Sequence, residues 1–412
     1  MPMIARLMLL LALFAAGPVG CAGVLRTPTP KDLTSVAEPL GMKGLRQWGD
    51  SWSEAAVEEF VERYGPVLQR LYGPEIAAGR VPRLDFLALS GGGQFGAFGA
   101  GILDAWTKTG QRPEFHGVAG VSTGAIIAPF AFLGSDYDHV LREIYSKYDT
   151  NMLIDSTILS GLLSGTALSS TSRLARVIDQ YVDAALLERI AEEHRKGRLL
   201  FIGTTNLDAG RPVIWDIGAI AASGKPGALG LMRQLIRASA AIPVAFPPVF
   251  VDVFTPDGRK FDEMHVDGGA SSQVTFISPD FPLAEVTRRV LGRNLDRRLW
   301  VIVNNDLEPP YAPVKPRIGA IGGAAVSSLI RGSGIGDTYR LFAIARRDEV
   351  NFNVAWIPAT IPCPDPTEVF DRPFMECLFK FGGDYLNSGR MWHPGPPFFA
   401  MPPPPQPARA RR

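Results

Sequence analysis

The chain has 412 residues, 46% of them hydrophobic, with a formal net charge of +1 at pH 7, so it carries apolar content enough for a large core. Lysine and arginine almost balance aspartate and glutamate, 42 against 41, which argues against a nucleic-acid partner. Three cysteines are too few for a disulfide scaffold.

At the start, Arg6 precedes an apolar run over residues 7–16, and small residues lead to Cys21. About ten apolar residues fall short of the 20 or so that span a bilayer, so residues 1–20 read as a secretory signal removed from the mature protein. Val19-Gly20-Cys21 resembles a bacterial lipobox, with Pro18 where that motif prefers leucine. The resemblance implies a lipid on Cys21 and a tether to a membrane surface of the cell envelope; simple cleavage is the alternative. Residues 21–50, rich in proline and threonine over 24–39, read as a spacer. Residues 51–82 form an N-terminal helical extension in which Ala56, Phe60, Tyr64, Val67, Leu68 and Leu71 recur at helical spacing, with Gly65-Pro66 expected to interrupt it.

Residues 84–89 read as a buried strand, Ser90 to Gly93 as a turn, and a small-residue helix begins near Gly96. The bare amides of Gly91, Gly92 and Gly93, facing the positive end of that helix, favour a negative charge, permanent or transient. Gly91, Gly93 and Gly96 also satisfy the G-x-G-x-x-G spacing of a dinucleotide turn, and Glu114 stands about 20 residues on, where such a turn needs an acidic ribose ligand. Nucleotide site, oxyanion site and plain tight turn all stay open at this point. A P-loop does not, because no Lys-Ser or Lys-Thr follows the glycines.

A second strand over 115–122 ends in Gly120-Val121-Ser122-Thr123-Gly124 ahead of an apolar helix. This is G-x-S-x-G between strand and helix, the setting that holds a serine on a sharp turn with its hydroxyl exposed. A helix N-cap serine is the plain alternative, although a cap needs no glycine on either side. Residues 137–148 read as an amphipathic helix, 159–171 as a Gly/Ser/Thr loop beside the active-site mouth, and 172–196 as one long surface helix. Strands at 199–207 and 212–217 follow, then a helix over 227–241 stopped by Pro243 and a stiff turn at 245–248. Strands 251–254 and 261–266 flank Pro256-Asp257-Gly258 as a hairpin. The second runs into Asp267-Gly268-Gly269, where two glycines leave the Asp267 carboxylate uncovered unless the triplet is an ordinary Asp-Gly turn.

Residues 298–304 form a further core strand, with Asn305 a candidate for orienting a site group. One or two helices over 319–347, a last strand over 350–357, a short helix over 374–381 and a disordered Pro/Arg tail over 401–412 complete the chain. Strands alternating with helices imply an α/β fold with a parallel-rich sheet between helical layers. A Ser-His-Asp esterase is the nearest rival chemistry: His265 shares a strand face with Asp267, and His393 alone follows it. His116, His139 and His194 read as surface or structural residues.

Gly91-Gly92-Gly93-x-x-Gly96, Gly120-x-Ser122-x-Gly124 and Asp267-Gly268-Gly269, in that order, resemble the patatin-like phospholipase family, and residues 238–249 are similar to its block between serine and aspartate. The likeness extends over roughly 84–301. It implies a three-layer α/β/α patatin-like fold with a mostly parallel central sheet, a catalytic core over 83–305, and C-terminal helices and a strand over 306–400 packed upon it. It further implies a Ser-Asp dyad, with Ser122 as nucleophile and Asp267 as base. Gly91, Gly92, Gly93 and Gly96 would form the oxyanion hole, with the Thr123 amide as a further donor, and no metal or organic cofactor is implied. The reaction would be hydrolysis of acyl esters of membrane lipids; a soluble esterase or thioesterase and a non-catalytic lipid-binding lipoprotein are the alternatives. One departure stands out: Phe95 occupies the place where many members carry Arg or Lys, so whatever bracing or positive potential that cation supplies must come from elsewhere or be missing. Cys363 and Cys377 either pair across a short loop in an oxidising compartment or remain buried thiols.

Overall fold

The computed structural model describes residues 26–154, 172–243, 245–308, 311 and 313–399. The first elements are β1 (Glu38–Pro39), β2 (Arg46–Trp48), α1 (Glu54–Ala77), β3 (Arg83–Leu89), α2 (Gly96–Lys108), β4 (Gly117–Val121) and α3 (Thr123–Leu133). Then come α4 (Asp138–Lys147), α5 (Thr150–Leu153), α6 (Ser172–Tyr181), α7 (Ala184–Arg195), β5 (Leu199–Asn206), β6 (Arg211–Asp216), α8 (Ile217–Ala222) and α9 (Ala228–Ser239). The last are β7 (Val249–Phe254), β8 (Lys260–Asp267), α10 (Leu283–Leu291), β9 (Asp296–Asp306), α11 (Ile318–Arg347), β10 (Val350–Ile357) and α12 (Arg372–Asn387).

The ten strands form one sheet in the order β1-β7-β8-β5-β4-β3-β9-β10, with β6 beside β5 and β2 beside β6. Its middle, β5-β4-β3-β9-β10, is parallel, as buried apolar runs without a solvent face require; the strands added around it are antiparallel. Side chains alternate across the sheet. Leu87 and Leu89 enter a core shared with α2, α3, α7 and α9, whereas Leu84, Phe86 and Ala88 enter a second core beneath α1, α10 and α11. The result is the expected three-layer α/β/α architecture.

Four local expectations change. The predicted spacer is laid onto the sheet from residue 26 onward: Arg26 pairs with Asp208 and Asp262, β1 with β7, and β2 with β6. Helix α1 runs through Gly65-Pro66 without interruption. Pro66 lies on its solvent side, where water can satisfy the carbonyl left free, while on the other side the Tyr64 hydroxyl donates to Asp216 at 2.6 Å. The single helix expected over 172–196 is two, because Asp183 caps a new start by accepting the Leu186 amide at 2.8 Å. The short helix expected over 374–381 is α12, twice as long; Gly382 belongs to its contact face, where any Cβ would strike the Phe98 carbonyl oxygen of α2, and Gly101 of α2 meets Phe379 in the same way. The predicted loop over 159–171, the signal segment with Cys21 and the tail over 401–412 lie outside the described residues.

Cys363 and Cys377 are disulfide-bonded with Cα atoms 5.7 Å apart, which ties the segment leading into α12 to the helix itself. A loop of 14 residues closed in this way is worth about 3 kcal/mol. The Cys363→Ser/Cys377→Ser double variant should therefore lose roughly 3 kcal/mol in a denaturant titration, and a midpoint insensitive to reductant would show that the bond does not contribute.

Candidate active site

Strand β5 sets the geometry. One of its edges carries β4 as far as Val121 opposite Gly203, and the next position on that edge carries β8, with Asp267 opposite Thr204. The residue after Val121 and the last residue of β8 therefore meet end to end. Ser122 Oγ donates to Asp267 Oδ2 at 2.6 Å across 145 positions of sequence.

Ser122 adopts φ 55° and ψ −122°, a backbone conformation that costs a non-glycine residue on the order of 1–3 kcal/mol. Three contacts hold it there. Its amide donates to Ser239 Oγ at 2.9 Å, the Ser239 hydroxyl donates onward to the Gly203 carbonyl at 2.6 Å, and the Ser122 carbonyl accepts the Ala125 amide at 2.9 Å to begin α3. The flanking glycines are required by contact: a Cβ on Gly120 would enter the Gly124 carbonyl, and one on Gly124 the Leu89 carbonyl.

Asp267 is 5% exposed. Its Oδ1 accepts the Gly269 amide at 2.7 Å and its own amide donates to Ala241 O at 2.9 Å. Burial pushes its carboxyl up to about 6, against the opposing pull of the Ser122 hydroxyl and the Gly269 amide. Gly268 lies directly on the Gly203 carbonyl, leaving no room for a side chain.

The glycine turn divides into committed and uncommitted amides. Gly91 donates to the Gln273 carbonyl at 2.9 Å and Gly96 to Gly93 and Gln94 within the turn, so these two glycines contribute compactness rather than free donors. Gly92, at φ 150°, and Gly93, at φ 56°, keep amides with no acceptor among the described residues, and Gly93 opens onto the same cleft as Ser122 and Thr123. Asn304 rather than Asn305 fixes the turn: fully buried, it donates from Nδ2 to Ser90 O at 3.0 Å and accepts the Gly99 amide at 3.1 Å. Gln273 joins the turn to the Asp267 loop by donating from Nε2 to Gly269 O at 2.8 Å. Ser239, Gln273 and Asn304 are the site residues the sequence reading missed; Ser239 alone had a signal, the small-residue block over 238–249.

The turn at Phe95 is braced by packing and a backbone hydrogen bond rather than by a cation. The Phe95 ring stands edge-on to Phe374 of α12, centroids 5.5 Å apart, and Gln94 Oε1 accepts the Asp371 amide at 2.9 Å. Histidine takes no part: His265 is bound to Thr204 at 2.9 Å and Glu263 at 3.3 Å, and His393 stacks on Trp356 at 4.2 Å. The nucleotide reading fails on position, since Glu114 precedes β4 at the end of the sheet opposite the glycine turn, with a side chain 75% exposed beside Arg198. Among the described residues no three His, Cys, Asp or Glu side chains group as metal ligands. From Ser122 an apolar cavity of ≈ 70 Å³ extends between α3, α4, α6 and α9, walled by Ile126, Ile144, Leu174, Ile178 and Ile236.

A serine on a strained strand–helix elbow, bonded to a buried aspartate at the carboxyl end of an α/β/α sheet, is the arrangement of an ester-hydrolase fold. Residues 87–279 match the model of the patatin-like phospholipase family. Similar solved structures include VipD from Legionella pneumophila, at 12% identity over 73% of this chain and 67% of that one, TM-score 0.31. Human GIVD cytosolic phospholipase A2 is similar at 12% identity over 72% of this chain, which spans 52% of that protein, TM-score 0.30. ExoU of Pseudomonas aeruginosa, solved with SpcU, is similar at 13% identity over 76% and 54%, TM-score 0.28. No curated protein sequence matches the chain significantly.

The Asp267 carboxyl should titrate near 6 by carboxyl-carbon NMR. Ser122→Ala removes a donor that favours the charged form, so it should move the midpoint higher still; a midpoint in the ordinary carboxylate range in both proteins would contradict this environment. Because the folded-state value is raised, the contribution of Asp267 to stability is fully present below the unfolded-state value of 3.8 and is lost as pH rises through about 6.

Proposed function

We propose that the protein is a lipid acyl hydrolase of the phospholipase A kind, acting through a Ser122–Asp267 dyad and an oxyanion hole formed by the Gly92 and Gly93 amides. The observation that carries the reading is the 2.6 Å bond from Ser122 Oγ to a buried carboxylate whose proton affinity is already raised. Raising a carboxylate toward neutrality makes it a better match for a base working near pH 7.

In the proposed reaction Ser122 Oγ attacks the ester carbonyl carbon as its proton passes to Asp267 Oδ2. Negative charge gathers on the carbonyl oxygen, where the Gly92 and Gly93 amides meet it; each such donor is typically worth about 3 kcal/mol in the transition state. Collapse breaks the ester C–O bond, and the departing alkoxide takes the proton held on Asp267. Water then attacks the acyl-enzyme, yields a proton to Asp267, and the free acid leaves as that proton returns to Ser122.

Two features favour lipid substrates over short soluble esters. The cleft beside Ser122 is walled almost wholly by apolar side chains. The first half of α11 adds an apolar surface on the same end of the sheet: Arg331 pairs with Asp306, where β9 ends, and beyond it Ile318, Ile321, Val326 and Leu329 stand 94%, 54%, 55% and 73% exposed. No helix among the described residues is long and apolar enough to cross a membrane. Export and anchoring through a lipid on Cys21 remain part of the proposal, and the Cys363–Cys377 bond is of a kind that persists in oxidising compartments.

A fluorophosphonate probe should label the mature protein, should fail on Ser122→Ala, and should react at least ~100-fold more slowly with Asp267→Asn. Equal labelling of all three would reject the dyad. The acid limb of kcat/KM should rise with pH around a midpoint near 6, because only the deprotonated carboxylate accepts the serine proton, and this limb should vanish in Asp267→Asn.

Ile321→Glu and Leu329→Glu should lower hydrolysis of phospholipid vesicles about tenfold, roughly what losing one buried aliphatic side chain costs. Hydrolysis of a dissolved butyrate ester by the same variants should stay within about twofold of the parent. Equal losses on both substrates would remove α11 from the lipid interface.

A further inference from the structure

A cavity larger than the one beside Ser122 lies elsewhere in the molecule. A space of ≈ 140 Å³ lies beneath α1 and α10, at the amino ends of β3, β5 and β9, walled by Phe60, Leu84, Phe86 and Phe281. It is on the opposite face and the opposite strand end of the sheet from Ser122, and the mechanism above makes no use of it.

Arg297 borders this cavity. It is the second residue of β9, in register with Leu84 of β3 and Val350 of β10, and it is 1% exposed. All three of its guanidinium nitrogens lack a hydrogen-bond partner among the described residues. Burying an arginine without a counter-charge carries a large desolvation penalty, and native structures normally satisfy its planar fork with a carboxylate or phosphate. The acids nearest it in charge are engaged elsewhere: Asp348 binds Arg347 at 2.6 Å, and Glu349 accepts Asn294 at 2.7 Å.

Two further donors on the same cavity share that condition. Ser278, with no exposed surface, has an Oγ without a partner, and so does the Trp52 indole nitrogen. The acids that line the cavity are already used, Asp216 by Tyr64 at 2.6 Å and Glu59 by Arg63 at 3.1 Å. The wall thus offers unmet donors and a positive charge within apolar surroundings, and what it lacks is an acceptor with negative charge. Desolvation draws the Arg297 guanidinium down to about 10, which leaves it charged at neutral pH.

We propose that this cavity is a second lipid site, taking a single-chain amphiphile whose carboxylate or phosphate is held by Arg297 and whose acyl chain lies among Phe60, Leu84, Phe86 and Phe281. One group answers both features: the anionic head supplies the missing acceptor, and the chain fills apolar space that water occupies poorly. Helix α1, which roofs the cavity, would then be held partly by the ligand. The site depends on the cavity alone and stands or falls independently of the dyad.

The test uses the mature chain carrying Ser122→Ala, so that no acyl-enzyme forms, with a diazirine derivative of lauric acid photo-crosslinked and the labelled peptides mapped by mass spectrometry. Labels are expected on the peptides of Phe60, Phe86 or Phe281, and adding Arg297→Met should reduce them at least tenfold. The uncharged dodecanol analogue should label the same peptides at least tenfold less than the acid. Competition by unlabelled laurate and by dodecyl phosphate identifies the preferred head group.

Without ligand, Arg297→Met should melt at or above the parent temperature, since it removes a buried charge whose hydrogen bonds are unmet, and laurate should raise the melting temperature of the parent alone. Labels confined to the Ser122 cleft, on Ile126 or Leu174 peptides, would overturn the proposal, as would equal labelling by acid and alcohol. Both of those readouts need only the Ser122→Ala protein, so they decide the matter even if Arg297→Met fails to fold. Fluorophosphonate labelling of the unmutated protein reads the dyad separately.

Discussion

The site depends on one edge of β5 being shared by two strands that run in opposite directions. Successive residues in a strand lie about 3.3 Å apart, so placing Val121 opposite Gly203 and Asp267 opposite Thr204 brings the two strand ends together before any side chain is considered. The peptide of Gly203 serves all parties: its carbonyl accepts the Ser239 hydroxyl that fixes the Ser122 amide, and Gly268 rests against the same oxygen. A slip of one residue in either pairing would turn the acid or the serine to the wrong side of the sheet.

That arrangement holds two unfavourable elements at once, a positive-φ serine and a buried carboxylate with a raised proton affinity. Both persist because their surroundings leave them no relaxed alternative. The glycines around the elbow are packed carbonyl to Cα, the Asp267 main chain is held by Ala241 and Thr205, and the layers above and below are apolar cores. Stability supplied by the cores maintains strain at the point where chemistry is proposed.

Local chemistry was legible in the sequence. Strand, glycine turn and helix at 84–96, the elbow at Ser122 and the strand ending at Asp267 could each be read from short-range pattern, because each depends on neighbouring residues alone. What could not be read was register and the contacts that follow from it. Ser239, Gln273 and Asn304 are ordinary polar residues in the chain and acquire their roles only when β5, β8 and β9 are set side by side. Asn305 was preferred to Asn304 for the same reason, since alternation along β9 decides which of the two faces the glycine turn. Helix α1 passes through Pro66 because its packed side outweighs one missing bond, a tertiary effect no local rule contains, whereas the cap at Asp183 was a local signal outweighed by an otherwise continuous apolar stripe.

Phe95, where the resembled pattern has Arg or Lys, is held by packing rather than by charge. An arginine or lysine there would have to place its charge against Phe374, inside an apolar contact. This chain braces the glycine turn from outside the catalytic core, with the Phe95–Phe374 ring contact and the bond from the Asp371 amide to Gln94. Asp371 also caps α12 by accepting the Phe374 amide at 3.0 Å, so the residue that starts the helix also anchors the turn. Gly101 and Gly382 let α12 lie against α2 at backbone contact, and the Cys363–Cys377 bond ties down the segment before it. Amides meant to meet transient charge must be rigid to be useful; rigidity supplied by a neutral, well-packed helix does not add the positive potential that a cation would. The turn is thus held firmly, while in the proposed reaction its attraction for an anionic transition state would come from the Gly92 and Gly93 amides and the start of α2, which makes the C-terminal segment, outside residues 87–279, part of what positions the site.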